Sequence, residues 1–252
     1  MTAGHGTPAE RYEELADLYD DLHPFDADAA DAVTFLERLA AGGDVLELAV
    51  GTGRIALPLA ARGCAVTGVD ASPDMLRVLH SKDSGETVRT ILGDISELAL
   101  ADHFDLIYLV ANSLFELTTQ EDQVACLKAA AEHLRPGGRL VVEAALPNWL
   151  FADRRPLFVG HLEELDTVTM QAMKYDLVGQ VVQYRHIFIA ASGIKVMPTT
   201  HRLVYLPELD LMAALAGLAR TDRHSDWTGG GFDPARGRHV SVYTRQPAAD
   251  DR

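Results

Sequence analysis

Residues 44–54, D-V-L-E-L-A-V-G-T-G-R, restrict the fold of this chain more than any other stretch. Val45, Leu46 and Leu48 form an apolar run that is too short for a helix and is flanked by glycines, which predicts a buried parallel strand. Gly51 and Gly53 carry no Cβ, so the chain can turn tightly there and its backbone can pass close to a ligand. From Arg54 the pattern turns helical, through Ile55, Leu57, Leu59 and Ala60 to a stop at Gly63. Strand, glycine turn and helix in this order open a nucleotide-binding α/β unit, whose ligand lies beyond the carboxyl end of the strand.

The turn itself has two readings. Gly51, Gly53 and Ala56 satisfy the loose G-x-G-x-x-G/A dinucleotide pattern, a weak signal alone. Glu47, Ala49, Gly51 and Gly53 fall at every second position, and this resembles the E-x-G-x-G-x-G loop of class I S-adenosylmethionine-dependent methyltransferases, with Ala49 in place of the first glycine. The resemblance implies S-adenosylmethionine as cofactor and S-adenosylhomocysteine as product. It also implies a turn shaped for a nucleoside with an amino-acid tail, not for a pyrophosphate at a helix N-terminus.

A second strand, Ala65 to Asp70, ends in a carboxylate. In nucleotide-binding α/β units an acid at this position accepts hydrogen bonds from the ribose. Ser72-Pro73 already starts the next helix, so Asp70 is not needed as its cap. V-D-A-S-P-D-M-L resembles the second methyltransferase motif, which implies that Ala71 and Met75 lie along the cofactor. A third strand, Thr87 to Leu92, is followed by G-D-I-S-E-L; Asp94 resembles the acid that accepts the adenine amine, and Ile95 the residue packed on the ring. A plain turn aspartate is the competing reading of Asp94.

Phe104 to Ala111 reads as a fourth strand. Ligands of such sheets bind beyond its carboxyl edge, so Asn112, Leu114 and Phe115 are candidates for an acceptor pocket, with Asn112 also a candidate catalytic residue. The resemblance adds Val110 to the cofactor contacts. Thr118 and Glu121 have capping-box spacing before a helix that runs through Leu134. His133 lies near the end of that helix, where the helix dipole accounts for it without catalysis. L-R-P-G-G-R-L-V-V-E-A then gives a turn and a fifth strand.

Ahead of the nucleotide unit, Tyr12, Leu15, Leu18, Tyr19 and Leu22 recur at helical spacing, and Ala29, Ala32, Val33, Leu36 and Leu39 mark a second helix closing at Gly42-Gly43. The first helix packs on the body of the domain in one reading. In the other, small-molecule methyltransferases place such a helix over the cofactor, which implies cofactor contacts for Tyr12 and Tyr19 and a catalytic role for Tyr19. Beyond Pro147 the texture changes to alternating stretches rich in Val, Ile, Thr, Tyr and Phe, with a tight-turn signal at Ala191-Ser192-Gly193. These predict an antiparallel sheet inserted after the fifth strand; the resemblance to small-molecule methyltransferases implies that it serves as a lid over the acceptor, with Trp149 in the acceptor pocket. Alternation places His201, Leu203 and Tyr205 on one face, where His201 is the candidate base and Tyr205 a group orienting the acceptor. A solvent-facing strand histidine is the competing reading of His201. A helix stopped at Gly217, a strand from Leu218 to Trp227, a glycine-rich loop and a last strand from His239 to Arg245 complete the chain.

The expected fold is therefore α/β: a Rossmann-like, seven-stranded, mostly parallel sheet with an antiparallel last strand and an inserted antiparallel β lid. Residues 1–147 form the cofactor core, 148–206 the lid, and 207–252 complete the core sheet. The formal net charge of −15 disfavours nucleic-acid backbones as partners. Two cysteines far apart, a polar N-terminus and no apolar run of membrane-spanning length predict a cytoplasmic protein with neither disulfides nor membrane contact. Metal-ligand spacings, a G-x-S-x-G elbow and a phosphate-binding P-loop are all missing from the sequence. The closest likeness is to bacterial natural-product N- and O-methyltransferases, such as those acting on antibiotic amino sugars. It implies methyl transfer to a nitrogen or oxygen of a small-molecule acceptor. A cofactor-retaining cyclase and a nicotinamide oxidoreductase are the alternatives, and the oligomeric state, homodimer included, is open.

Overall fold

The computed structural model describes residues 15–147, 157–159, 167–190 and 193–245. Strand β1 (Asp44–Leu48) lies between β2 (Ala65–Asp70) and β4 (Phe104–Leu109), parallel to both. Outside them run β3 (Val88–Leu92) on one flank and β5 (Leu134–Ala145) on the other, also parallel. A separate antiparallel sheet contains β6 (Leu157–Val159), β7 (Thr167–Asp176), β8 (Val181–Ala190) and β9 (Gly193–Arg202). The main sheet is completed by β10 (Leu218–His224) and β11 (Arg238–Arg245), giving the order β10-β11-β5-β4-β1-β2-β3. β11 runs antiparallel to both of its neighbours, so it is the one reversed strand.

Strand alternation explains why both faces are covered. Val45, Leu106 and Tyr108 point to a cluster with helices α2 (Ala27–Ala40), α3 (Ala56–Ala61) and α4 (Pro73–Lys82). Leu46, Leu48, Ile107 and Leu109 point to the other face, against α5 (Gln120–His133) and α6 (Leu206–Leu215). A parallel sheet needs apolar residues on both sides because its crossover helices cover both. Each such side chain contributes roughly 1.5–3 kcal/mol by leaving water. Val182 and Tyr184 of β8 are buried in the same cluster as Leu114, Phe115 and Leu203, which anchors the second sheet to the body.

Four sequence expectations shift. The first helix is not continuous over the described residues: a 3-10 turn, Ala16–Leu18, precedes the single helical turn α1 (Tyr19–Leu22). The tighter turn breaks the 3.6-residue phase, so Leu15 and Ala16 are buried while Leu18 and Leu22 face outward. Helix α5 is capped by Thr119, one residue later than Thr118, with Thr119 Oγ1 accepting from Asp122 N at 3.1 Å and donating to Asp122 Oδ2 at 2.6 Å. β10 stops at His224, and Trp227 leaves the sheet to pack edge-on against Phe35, with ring centroids 5.6 Å apart. β9 ends at Arg202, before Leu203 and Tyr205, which alternation placed on the same strand face as His201. Leu203 N donates to Gln180 O at 2.8 Å, and Gln180 Nε2 returns a bond to Leu203 O at 2.8 Å, which turns the chain out of the sheet.

Candidate active site at the carboxyl ends of the strands

A cavity with about 730 Å³ of empty space, its open mouth included, lies beyond the carboxyl ends of β1, β2, β3 and β4. That size suits a nucleoside-sized ligand. Ala49 and Gly51 line it after β1, Asp70, Ala71 and Ser72 after β2 with Met75 from α4, and Asp94 and Ile95 after β3. Ala111, Ser113, Glu116 and Leu117 complete the wall after β4, and Tyr19 covers it from the N-terminal segment.

The backbone around the cavity is held in uncommon conformations. Ala49, Ala111 and Asn112 have φ of 60°, 54° and 64°, and Gly51 and Gly53 have φ of 54° and 79°. A non-glycine residue there costs about 1 kcal/mol and persists only where its surroundings impose it. Bonds to β5 do so beyond β4: the Glu143 side chain accepts through Oε2 from Ala111 N, and Asn112 Oδ1 accepts from the backbone N of Ala145, both at 2.6 Å. Asn112 thus fixes the exit of β4 and does not line the cavity. Gly51 faces open space, where an added Cβ would meet nothing within 4 Å. Gly53 has a different reason to be glycine, since a Cβ would fall 2.9 Å from Leu79 Cγ. It therefore serves loop packing, and it does not line the cavity, so the dinucleotide-like spacing of Gly51, Gly53 and Ala56 is not a phosphate cradle here.

Asp70 grips the floor of the site. Its Oδ2 accepts from Gly51 N at 2.7 Å and its Oδ1 from Ser72 N at 2.8 Å. Burial raises its carboxyl pKa, and these backbone bonds oppose the rise. A carboxylate has about four lone-pair sites, so the remaining ones can serve a ligand. Asp94 closes a turn, its Oδ1 accepting from Ser96 N and Ser96 Oγ, each at 2.7 Å, and the residue also lines the cavity. The N-terminal segment is latched over the loop through Asp20, whose Oδ1 accepts from Thr52 Oγ1 at 2.5 Å and whose Oδ2 accepts from Lys82 Nζ at 2.6 Å. This places Tyr19 on the wall, where burial pushes its phenol up to about 12 and keeps it a hydrogen-bond donor at neutral pH.

Several expected site residues lie elsewhere. Glu47 is buried under the glycine loop and accepts from Tyr108 OH at 2.8 Å; burial pushes its carboxyl up to about 8. It does not line the cavity. Val110 faces the core on the α2 side, and Leu114 and Phe115 are core residues of the opposite face, because the 3-10 turn at residues 113–116 rotates Ser113 and Glu116 outward instead. Tyr205 caps α6 and lines a different cavity, with Tyr175, Gln180 and Leu203, because β9 has already ended. Tyr12 and Trp149 lie outside the described residues.

His201 is brought to the site indirectly. Its Nε2 is 2.8 Å from Glu116 Oε1, so Glu116 stands between it and the cavity. Tyr184 packs edge-on against His201 at 5.3 Å and stacks on His186 at 5.7 Å. His186 bonds Thr199 Oγ1 at 3.0 Å and Gln171 Nε2 at 3.1 Å, and burial, then His201 and His23, hold its pKa below the usual imidazole value. Glu116, Ser113, Leu117 and His186 were absent from the sequence-based site. Only Glu116 carried a signal, as an acid shortly beyond the fourth strand.

The strand order, with one reversed strand between β10 and β5, is that of class I S-adenosylmethionine-dependent methyltransferases. Comparison with known proteins reaches the same class by sequence. Residues 45–138 match the family described as "Methyltransferase domain". The cypemycin N-terminal methyltransferase of a Streptomyces species is 30% identical over 205 residues, 80% of this chain and 82% of that protein. The dTDP-3-amino-3,6-dideoxy-alpha-D-glucopyranose N,N-dimethyltransferase of Streptomyces fradiae is 26% identical, again over 80% of this chain and 82% of that protein. Among solved structures, the CcbJ methyltransferase of Streptomyces caelestis is 36% identical and superposes with a TM-score of 0.87, covering 94% of this chain and 98% of that one. The chain belongs to the S-adenosylmethionine-dependent methyltransferase family. It is an enzyme that uses S-adenosylmethionine.

The cavity fits that group. The open space beside Gly51 admits close backbone approach, Asp70 keeps acceptor capacity, and Met75 and Ile95 supply apolar walls near Asp94. No helix among the described residues is long and apolar enough to cross a membrane.

Proposed function

We propose that the enzyme methylates a nitrogen atom of a small-molecule acceptor of the natural-product kind. The observation that carries this reading is the cavity wall at Ser113, Glu116 and Leu117, where the cofactor half meets the second sheet through Glu116 and His201. It is supported by relatives named as an N-terminal methyltransferase and as an N,N-dimethyltransferase of an amino sugar.

When bound, S-adenosylmethionine supplies a methyl group activated by the positive sulfur, and the protein mainly supplies orientation and water exclusion. In this reading Asp70 accepts the ribose hydroxyls, Asp94 the adenine amine, and Met75, Ile95 and Ala71 pack on the nucleoside. Ala49 and Gly51 let the amino-acid tail approach the backbone, and the nearby Arg54, which lowers the Tyr19 pKa, offers positive charge for its carboxylate. Tyr19 covers the reacting end. The segment 148–206 forms the acceptor wall, and residues 1–147 and 207–252 form the core. The two cysteines are free and buried, which suits a reducing cytoplasm, and the net charge of −15 argues against a nucleic-acid partner.

The test is turnover with methyl-labelled S-adenosylmethionine and a panel of primary and secondary amines, including amino-sugar nucleotides and peptides with a free N-terminus. Release of S-adenosylhomocysteine with label on nitrogen is expected. Label on oxygen, or on no member of an acceptor panel extended to alcohols, would overturn the reading.

A further inference from the structure

Glu116 occupies a particular position. It is the one carboxylate contributed by the β4 side of the cavity, opposite Asp70 and Asp94 at the ends of β2 and β3. Its Oε1 receives the bond from His201 Nε2 on β9, and both side chains are largely shielded, at 17% and 21% exposure. Resting on the reading above, we propose that Glu116, held by His201, receives the acceptor as a cationic amine and takes its proton.

The surroundings select for a cation. Bringing an ammonium out of water is costly unless an anion meets it. The groups whose charges act on Glu116 include Tyr19 from the N-terminal segment, Asp70 after β2, and His201 and His186 from the second sheet, while the cation Arg54 lies beside Tyr19. Tyr19 stays a neutral phenol and burial keeps His186 toward its neutral form, so neither cancels the negative charge of Glu116 and Asp70. A carboxylate or phosphate acceptor would be repelled here, and a hydroxyl acceptor would gain a hydrogen bond to the anion but not the ion pairing that an ammonium gains. Tyr184, packed edge-on against His201, fixes the imidazole so that Nε2 points at Glu116.

The chemistry balances within these groups. An N–H bond of the ammonium breaks, the proton passes to the Glu116 carboxylate, and the electron pair stays on nitrogen as a lone pair. That lone pair would form the new N–C bond while the methyl–sulfur bond breaks and its pair stays on sulfur, leaving S-adenosylhomocysteine. The proton then leaves to solvent, and the carboxylate is restored. Glu116 contacts the acceptor; His201 is a positioning residue.

Sinefungin tests this without knowledge of the acceptor, because it carries an amine on the carbon that replaces the methylated sulfur. Its affinity relative to S-adenosylhomocysteine, measured by calorimetry, reports negative charge at the reacting centre. Glu116→Gln should leave S-adenosylhomocysteine binding unchanged and lower the sinefungin preference about tenfold, the size of a lost charge-assisted hydrogen bond. His201→Ala should lower the preference less, and His201→Gln, which can still donate to Glu116, should restore it. If Glu116→Gln fails to fold, Glu116→Asp carries the same test, with a smaller loss expected from the retracted carboxylate. An unchanged preference in a folded Glu116 variant overturns the inference and leaves the cofactor reading intact. If wild-type protein bound neither compound, the cofactor reading would fall first.

Discussion

Glu47 offers a test of the local physics that needs no substrate. It is 2% exposed, sits beneath the glycine loop, and meets Tyr108 OH at 2.8 Å in a fully buried contact. Burial is the largest cause of its rise to about 8, with Tyr108, Arg54 and the backbone of Ala56 pulling the other way. The folded state therefore binds this proton more tightly than the unfolded state, where the carboxyl titrates near its ordinary 4.5. Stability from this group is complete below pH of about 4.5, falls as pH rises, and is fully lost once pH passes about 8. The gap corresponds to an upper limit of roughly 5 kcal/mol, of which about 3 would be lost by pH 7. Relaxation of the loop lowers that figure, and we expect roughly 2–3 kcal/mol between pH 5 and pH 8. Glu47→Gln removes the titration while keeping the shape, and its amide can still bond the Tyr108 hydroxyl. Urea unfolding of both proteins at pH 5, 6, 7 and 8 isolates the effect, because Asp70, Glu143 and His239 titrate in both and cancel in the difference. The curves should nearly coincide at pH 5 and separate in favour of Gln at pH 8. A difference independent of pH would show that Glu47 is ionised in the fold and that its burial has been misjudged.

Three further outcomes follow from the geometry. Gly53→Ala places a Cβ against Leu79 and Leu57 at a φ of 79°, so thermal unfolding should report a loss of about 1–3 kcal/mol even though the residue lies off the cavity wall. Asp20→Asn weakens the latch from Lys82 to the glycine loop, a half-exposed pair worth up to about 1 kcal/mol, so S-adenosylhomocysteine should dissociate about two- to fivefold faster in stopped-flow traces. Exchanging residues 163–206 with the matching segment of a relative should change acceptor preference while S-adenosylhomocysteine affinity stays within a few-fold; collapse of that affinity in a folded chimera would refute the division of labour.

The cofactor half was legible because its signals are local. Buried parallel strands read as short apolar runs, and the residue after each run falls on the ligand edge whatever happens elsewhere. Ala49, Gly51, Asp70, Ala71, Met75, Asp94 and Ile95 reached the cavity for that reason. Glu47 lies two residues before Ala49, still within β1, where its side chain is buried against Tyr108 beneath the loop. The turn after β4 was less legible: its 3-10 geometry decides that Ser113 and Glu116 face the cavity and that Leu114 and Phe115 face the core. The second sheet was legible in kind but not in register. Gly193 and Pro198 blur the alternation of β9, whose pairing to β8 places its end at Arg202 and sends Tyr205 away from His201. Contacts between the sheets, such as Glu116 with His201, depend on that register.

The proposed bond from Asp70 to the ribose can be measured directly. Calorimetric titration of S-adenosylhomocysteine and its 2′-deoxyribose analogue into wild-type protein and Asp70→Asn forms a double-mutant cycle. The cycle separates a direct bond from loss of the contacts of Asp70 to Gly51 N and Ser72 N. Wild-type protein should lose about 10- to 100-fold in affinity when the hydroxyl is removed, the range of a charge-assisted bond, and the Asn variant should lose much less. Equal losses in both proteins would mean that Asp70 only shapes the loop, and the placement of the cofactor in this cavity would have to be redrawn.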